Sequence, residues 1–185
     1  MVATEVNDIC LDAYSKTPCV LHHTGSIHES IHRPRPRVID PRYVHETGGE
    51  EYYECMGAYR RVYCVGTYPS DPDKCGLKPS SLHLIVKNKA VHSVANFGAR
   101  VLKYIRMSQC SRTLVVIAAM SYNTAAVFTV AGRRLHMVDG AVRVFADAGA
   151  ADDMSIYGVT VFEEKRKIKC LFSGYPCRFT WMTIR

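Results

Sequence analysis

The segment Leu114 to Val130, LVVIAAMSYNTAAVFTV, is the longest nearly uninterrupted apolar run in the chain, and it limits what the rest can fold into. A bilayer crossing needs roughly 20 apolar residues, so the run is close to that length. Its middle, however, holds Ser121, Tyr122, Asn123 and Thr124, polar groups that hydrocarbon would leave unpaired. Ser-Tyr-Asn-Thr reads instead as a turn or helix end between two buried segments. The run is therefore expected to form a buried core on which the downstream strands pack.

A chain of 185 residues, 48% of them apolar, is large enough for one domain with a real core, or a domain plus an arm. The division expected is an extended arm over 1–50, with a short helix, and a globular α+β domain over 51–185. Charge is uneven along the chain. Residues 1–81 hold nine Lys/Arg against eleven Asp/Glu, a balance of −2, and residues 82–185 hold fifteen against six, a balance of +9. A positive domain attracts nucleic acid, a nucleocapsid or an anionic leaflet. The start MVATEVNDIC has neither a basic n-region nor an apolar h-region, so the chain is not expected to be secreted. Its eight cysteines then read as reduced thiols.

Within the arm, Val6, Ile9, Cys10 and Ala13 recur at helical spacing and predict a short helix over 6–14. Arg33-Pro34-Arg35-Pro36-Arg37 must be extended, since proline lacks a donor and biases its predecessor. Cys19, His22, His28 and His32 are weak metal-ligand candidates, because structural zinc sites want closely spaced Cys and His pairs and no Cys-x2-Cys is present. Tyr52, Tyr53, Tyr59, Tyr63 and Tyr68 surround Arg60 and Arg61, a mixture that suits base stacking and equally a half-buried strand over Tyr59 to Val65. Leu82 to Lys87 reads as a strand. Val91, Val94, Ala95, Gly98, Val101, Leu102 and Ile105 fall on one helical stripe, with Ser93 as N-cap and Arg100, Lys103 and Arg106 on the outward side. Asp139-Gly140 gives a hairpin signal, Ala131-Gly132 reads as the turn of the preceding pair, Glu163-Glu164-Lys165-Arg166 joins two strands, and Arg178 to Thr183 alternates as a strand. The fold class expected is α+β: an antiparallel sheet packed with one or two helices, preceded by the extended proline-containing arm.

No phosphate loop, dinucleotide fingerprint, HExxH or GxSxG motif occurs. Cys64 with His83 or His136 is the thiol–imidazole pairing a structure can test. Asp152-Asp153 reads as a solvated turn. No enzymatic activity and no cofactor are expected.

SLHLIV, SVANFGARVLKYI, TLVVIAAMSYNTAAVF and DDMSIYGVTVFEEKRKIKC, following a proline-containing arm, resemble in pattern the globular domain of rhabdovirus matrix proteins. Asp40-Pro41-Arg42-Tyr43 lies where that family often places a Pro-Pro-x-Tyr budding motif, with one proline missing. The resemblance implies a self-associating virion protein in the host cytoplasm or nucleus. It would bridge nucleocapsid and anionic inner leaflet, with Pro34, Pro36, Pro41 and Tyr43 meeting partners. Phosphate or lipid contacts would come from Arg100, Lys103, Arg106, Arg133, Arg134, Lys165, Arg166, Lys167 and Lys169. A small nucleic-acid-binding accessory protein using Arg60 and Arg61, or a capsid or movement protein, are the alternatives.

Overall fold

The computed structural model describes residues 6–29, 37–39, 51–69, 80–94, 97, 100–121, 123–145, 156–165, 167–174 and 178–184. Four antiparallel meanders account for them. The first is β1 (Val6–Leu11), β2 (Pro18–His22), β3 (Ile27–Glu29) and β4 (Arg37–Ile39); the second is β5 (Glu51–Tyr59), β6 (Val62–Pro69), β7 (Ser81–Val86) and β8 (Lys89–Val94). The third is β9 (Leu102–Cys110), β10 (Thr113–Met120), β11 (Thr124–Ala131) and β12 (Arg134–Arg143), and the fourth is β13 (Ile156–Glu164), β14 (Lys167–Gly174) and β15 (Arg178–Ile184).

The apolar run becomes the hairpin β10–β11, paired from Leu114↔Val130 to Met120↔Thr124. Successive side chains on a strand point to opposite faces. Val116, Ala118, Met120, Ala126 and Phe128 enter one core with Cys55, Cys64, Leu82 and Leu84 of the second sheet. Val115, Ile117, Ala119, Ala125 and Val127 enter another with Ile156, Val159, Cys170 and Phe172 of the fourth. The second sheet is likewise covered twice: its other face places Tyr53, Met56, Ala58, Tyr63, Val65 and Ile85 against Cys19, Leu21, Ile27 and Ile39 of the first. Four sheets thus stack as layers, the central strands of the inner two buried on both faces. A strand with two buried faces has no polar alternation to show, which is why the run looks uninterrupted.

The α+β expectation is corrected: among the described residues every regular element is a strand. Val6–Leu11 is not helical but pairs with β2, Cys10 facing Cys19. The helix drawn through Val91 to Ile105 is instead the end of β8 and the start of β9, with Phe97 and Arg100 between them. Val91, Val94, Leu102 and Ile105 do share one core, but they reach it from two facing sheets. A helix there would have left the ladder groups of β7 and β10 without partners; as strands, β8 and β9 satisfy them. Among the described residues no helix is long and apolar enough to cross a membrane.

Ser121 and Asn123 form the tip of β10–β11, within the break expected there, and Gly132 with Arg133 form that of β11–β12, one residue beyond the expected Ala131-Gly132. Asp139-Gly140 is not a turn. It lies inside β12, where the register with β11 shifts around Val127. The strand read over Tyr59 to Val65 is broken by a turn at Arg60-Arg61.

Gly66 sits where the second and third sheets approach, and a Cβ there would lie 2.8 Å from Cys55 Sγ and 3.0 Å from Leu102 Cβ. Gly66→Val is expected to destabilise by about 1–3 kcal/mol through overpacking. Gly132→Asn, at φ +55° with nothing within 4 Å of the added carbon, should be near neutral, since Asn tolerates left-handed backbone. Urea unfolding of the two variants reads the difference.

Candidate polyanion interface

Five two-residue hairpins join consecutive strands: 60–61, 87–88, 111–112, 132–133 and 165–166. Such loops prefer turns with positive φ, the reason Asn-Gly is their usual sequence. Here the left-handed positions are held by Arg60 (φ 49°), Arg61 (62°), Lys87 (52°), Asn88 (66°), Ser111 (51°), Gly132 (55°), Arg133 (63°) and Lys165 (49°). Each tip presents a cation, from Arg60-Arg61, Lys87, Arg112 (beside the left-handed Ser111), Arg133 and Lys165, all exposed.

Contacts between sheets place these tips at one end of the stack. Glu54 pairs with Lys103 at 2.7 Å, and Gly57 lies against Ile105 and Met107. β5 and β9 therefore run the same way, and tips 60–61 and 111–112 emerge together. Within a meander, alternate turns return to the same end, which brings in 87–88 and 132–133. The backbone N–H of Leu135 donates to His92 Nδ1 at 3.2 Å, confirming the alignment of β12 with β8. Ser111 donates to Glu163, fixing tip 165–166 there as well. The first sheet's turn carries Lys16 (φ 58°) to the same pole, since Ala13 N–H donates to Ala58 O at 2.9 Å.

The acids of this pole are occupied. Asp12 is buried, accepting from the N–H groups of Tyr14 (2.9 Å), Ser15 (2.8 Å) and Arg61 (3.2 Å). Burial alone would raise its pKa, but these backbone donors outweigh it and hold the carboxyl below the ordinary value. Glu29, also buried, accepts from the Tyr63 hydroxyl and faces Arg37 at 3.6 Å, while Arg37 donates to Asn88 Oδ1 at 3.0 Å. Burial first, then that carboxylate, pushes the Tyr63 phenol up. Glu164 is taken by Lys169. The Arg60 guanidinium lies 3.9 Å over the Tyr14 ring, at the mouth of an open cleft of about 340 Å³ lined by Asp12, Tyr14, Ser15, Thr17, Glu29, Arg60 and Arg61.

Of the sequence-predicted cations, Arg60, Arg61, Arg133, Arg134, Lys165 and Lys167 come together at this pole. Lys169 lies beside it, in its pair with Glu164. Arg100, Lys103 and Arg106 do not form the outward side of a helix. Lys103 is paired with Glu54, Arg106 is half-buried in β9, and Arg100 donates to Phe97 O at 3.3 Å while its buried Nε has no partner among the described residues. Arg166, His32, Pro34, Pro36, Pro41, Tyr43 and Asp152-Asp153 lie outside the described residues. Sequence reading missed Lys16, Lys87, Lys89 and Arg112; the signal available was their position between two alternating segments.

The thiol–imidazole couple is not formed. Cys64 packs in the core between the second and third sheets, its thiol pushed up by burial. His83, one register position away opposite Val65, bonds instead to Thr67 Oγ1 (3.1 Å) and Ser93 Oγ (2.8 Å). His136 is exposed near Ala131 O. Among the described residues no group of three or more His, Cys, Asp or Glu is placed to hold a metal. The Cys19 thiol donates to Thr17 O, and the rings of His22 and His28 meet at a tilt of 55° with centroids 4.3 Å apart. No family model matches this chain, and no curated protein matches it.

Replacing Arg60-Arg61 by Asn-Gly relieves left-handed strain of roughly 1–2 kcal/mol per residue and forfeits a cation–π contact of about 0.5–1 kcal/mol. The double variant should therefore unfold at higher urea with unchanged slope, yet bind polyanions more weakly. Burial, then the neighbouring His22, lowers the His28 pKa. The unfolded chain thus binds the proton more readily, and stability should fall as pH drops below about 6.5. In His28→Asn, thermal melts between pH 7.5 and 5.5 should show a smaller drop.

Proposed function

We propose that this protein is a structural, polyanion-holding scaffold that works by assembly, in the manner of a viral matrix protein. The cationic pole takes RNA or nucleocapsid phosphates, or the anionic headgroups of an inner leaflet, and self-association multiplies the contacts. One observation carries the reading: Arg and Lys occupy left-handed turn positions at tip after tip of a single pole. Those positions cost stability, and the cheaper residues take only Asn88 and Gly132. Strain retained this regularly at one surface supports a functional demand for the charge.

The chemistry needed is electrostatic and distributed. Surface cations contribute about 1 kcal/mol each near an anionic membrane, and on nucleic acid each phosphate neutralised steepens the salt dependence. At the Arg60-Arg61 tip the nearby acid is buried and bonded by the backbone, and at the Lys165 tip the exposed Glu163 and Glu164 are engaged by Ser111 and Lys169, so the pole's net positive field extends outward.

The triple variant Arg60→Glu, Arg133→Glu and Lys165→Glu keeps every turn while reversing three tips. It should lose flotation with phosphatidylserine vesicles. It should also lower the log–log salt slope for single-stranded RNA by roughly 2, at about 0.7 per phosphate. Wild-type binding indifferent to salt, or a triple variant that floats like wild type, would sink the reading. Light scattering at two salt concentrations tests assembly, with reversible polymer expected at low salt.

A further inference from the structure

The outer face of the fourth sheet carries a feature the pole does not explain. Inward residues of β13–β14–β15 fill the core shared with the third sheet, whereas Tyr157, Phe179 and Trp181 are 66%, 71% and 60% exposed. Phe179 and Trp181 are alternate residues of β15 and so share one face, about 6.7 Å apart along the strand. Phe162 meets Trp181 edge-on, with ring centroids 5.3 Å apart. Cross-strand register completes the surface: Phe179 stands opposite Ser173, which stands opposite Gly158, and Trp181 stands opposite Leu171. Beside Phe179 the sheet is thus nearly bare, leaving room for a flat group against the ring. Lys167 and Lys169 share this outer face, Lys169 in its pair with Glu164, and the face leads through Lys167 to the Lys165 tip of the cationic pole.

We infer that this face is a stacking surface for single-stranded nucleic acid, with bases on Phe179, Trp181 and Tyr157 and the backbone led toward Lys167 and Lys165. The inference rests on the polyanion reading of the pole and names the form of the polyanion. Aromatic rings supply sequence-tolerant stacking because every base has a π-face, while neighbouring cations track the phosphates; a sheet face is a platform on which unpaired RNA bases are known to stack. Charge complementarity selects this occupant. An apolar partner sheet laid here would take Lys167, the Lys169–Glu164 pair, Thr160 and Thr183 out of water, whereas a phosphodiester chain meets Lys167 and Lys165 with charge and the rings with bases.

Trp181 is the sole tryptophan of the chain, so its emission reports on this face alone. The full chain is titrated with an oligouridylate and, in parallel, with heparin, a polyanion that has no bases. Saturable quenching of Trp181 by the oligouridylate, and little by heparin, is the expected result. Phe179→Ala, at a solvent-facing position where folding is not at stake, should bind the oligouridylate about tenfold to a hundredfold more weakly and heparin as wild type does. Unquenched emission, or oligouridylate affinity unchanged in both Phe179→Ala and Tyr157→Ala, overturns the platform and leaves the pole standing. Concentration-dependent blue-shifted emission without nucleic acid assigns the face to a second copy, and a blue shift on anionic vesicles assigns it to lipid; either overturns the inference. Failure to bind either polyanion removes the pole and the platform together.

Discussion

The rest of the structure depends on covering both faces of the hairpin β10–β11. Its side chains leave no face that water could wet, since consecutive residues from Val115 to Met120 are buried. A single partner sheet would leave half of this surface exposed, at roughly 25 cal/mol per Å² of apolar area. A sheet on each side is the minimum solution, and the second sheet, being equally apolar, requires a further cover of its own. The layers therefore propagate outward until a sheet can present a wet face. Asn123 closes the hairpin in left-handed backbone and bonds back to the chain leaving β12: its Nδ2 donates to Phe145 O, and Phe145 N–H donates to its Oδ1.

How much of this was legible depends on which signals the sequence displays. The apolar run, the break at Ser121–Thr124, the Gly132 turn and the hairpin around Lys165 were all readable, because each combines a strand pattern with a recognisable interruption. The helices were not. Val91, Val94, Leu102 and Ile105 satisfy helical spacing because two strands of facing sheets contribute to one core, and no local pattern reveals that the stripe is discontinuous. Asp139-Gly140 misled for the opposite reason, since a turn dipeptide is accommodated inside β12 by a register shift. Arg60-Arg61 carries no turn chemistry at all, so the break it makes in the tyrosine-rich strand has no sequence signature.

The same blindness hid the candidate interface. Charge tallied along the chain assigns the positive balance to residues 82–185, yet the pole draws Lys16, Arg60 and Arg61 from the other part and discards Lys103 to an ion pair. Segregation is by turn parity rather than by segment. In a meander alternate connections fall at alternate ends, and contacts between the sheets bring the short, cation-bearing tips into one alignment. Only the pairing register could show this.

Asp12 shows how the pole and the fold are tied together. Its carboxylate joins the first sheet's turn to the strained Arg60-Arg61 turn of the second, accepting from backbone donors on both. Because the bonds come from main-chain N–H groups, they hold the turn whatever side chains it carries, which frees positions 60 and 61 to be chosen for charge. A buried acid satisfied by the backbone also spares the guanidinium groups from pairing with it. The arrangement therefore separates two tasks that usually compete at a surface turn: the backbone supplies the stability, and the side chains are left to face an anionic partner.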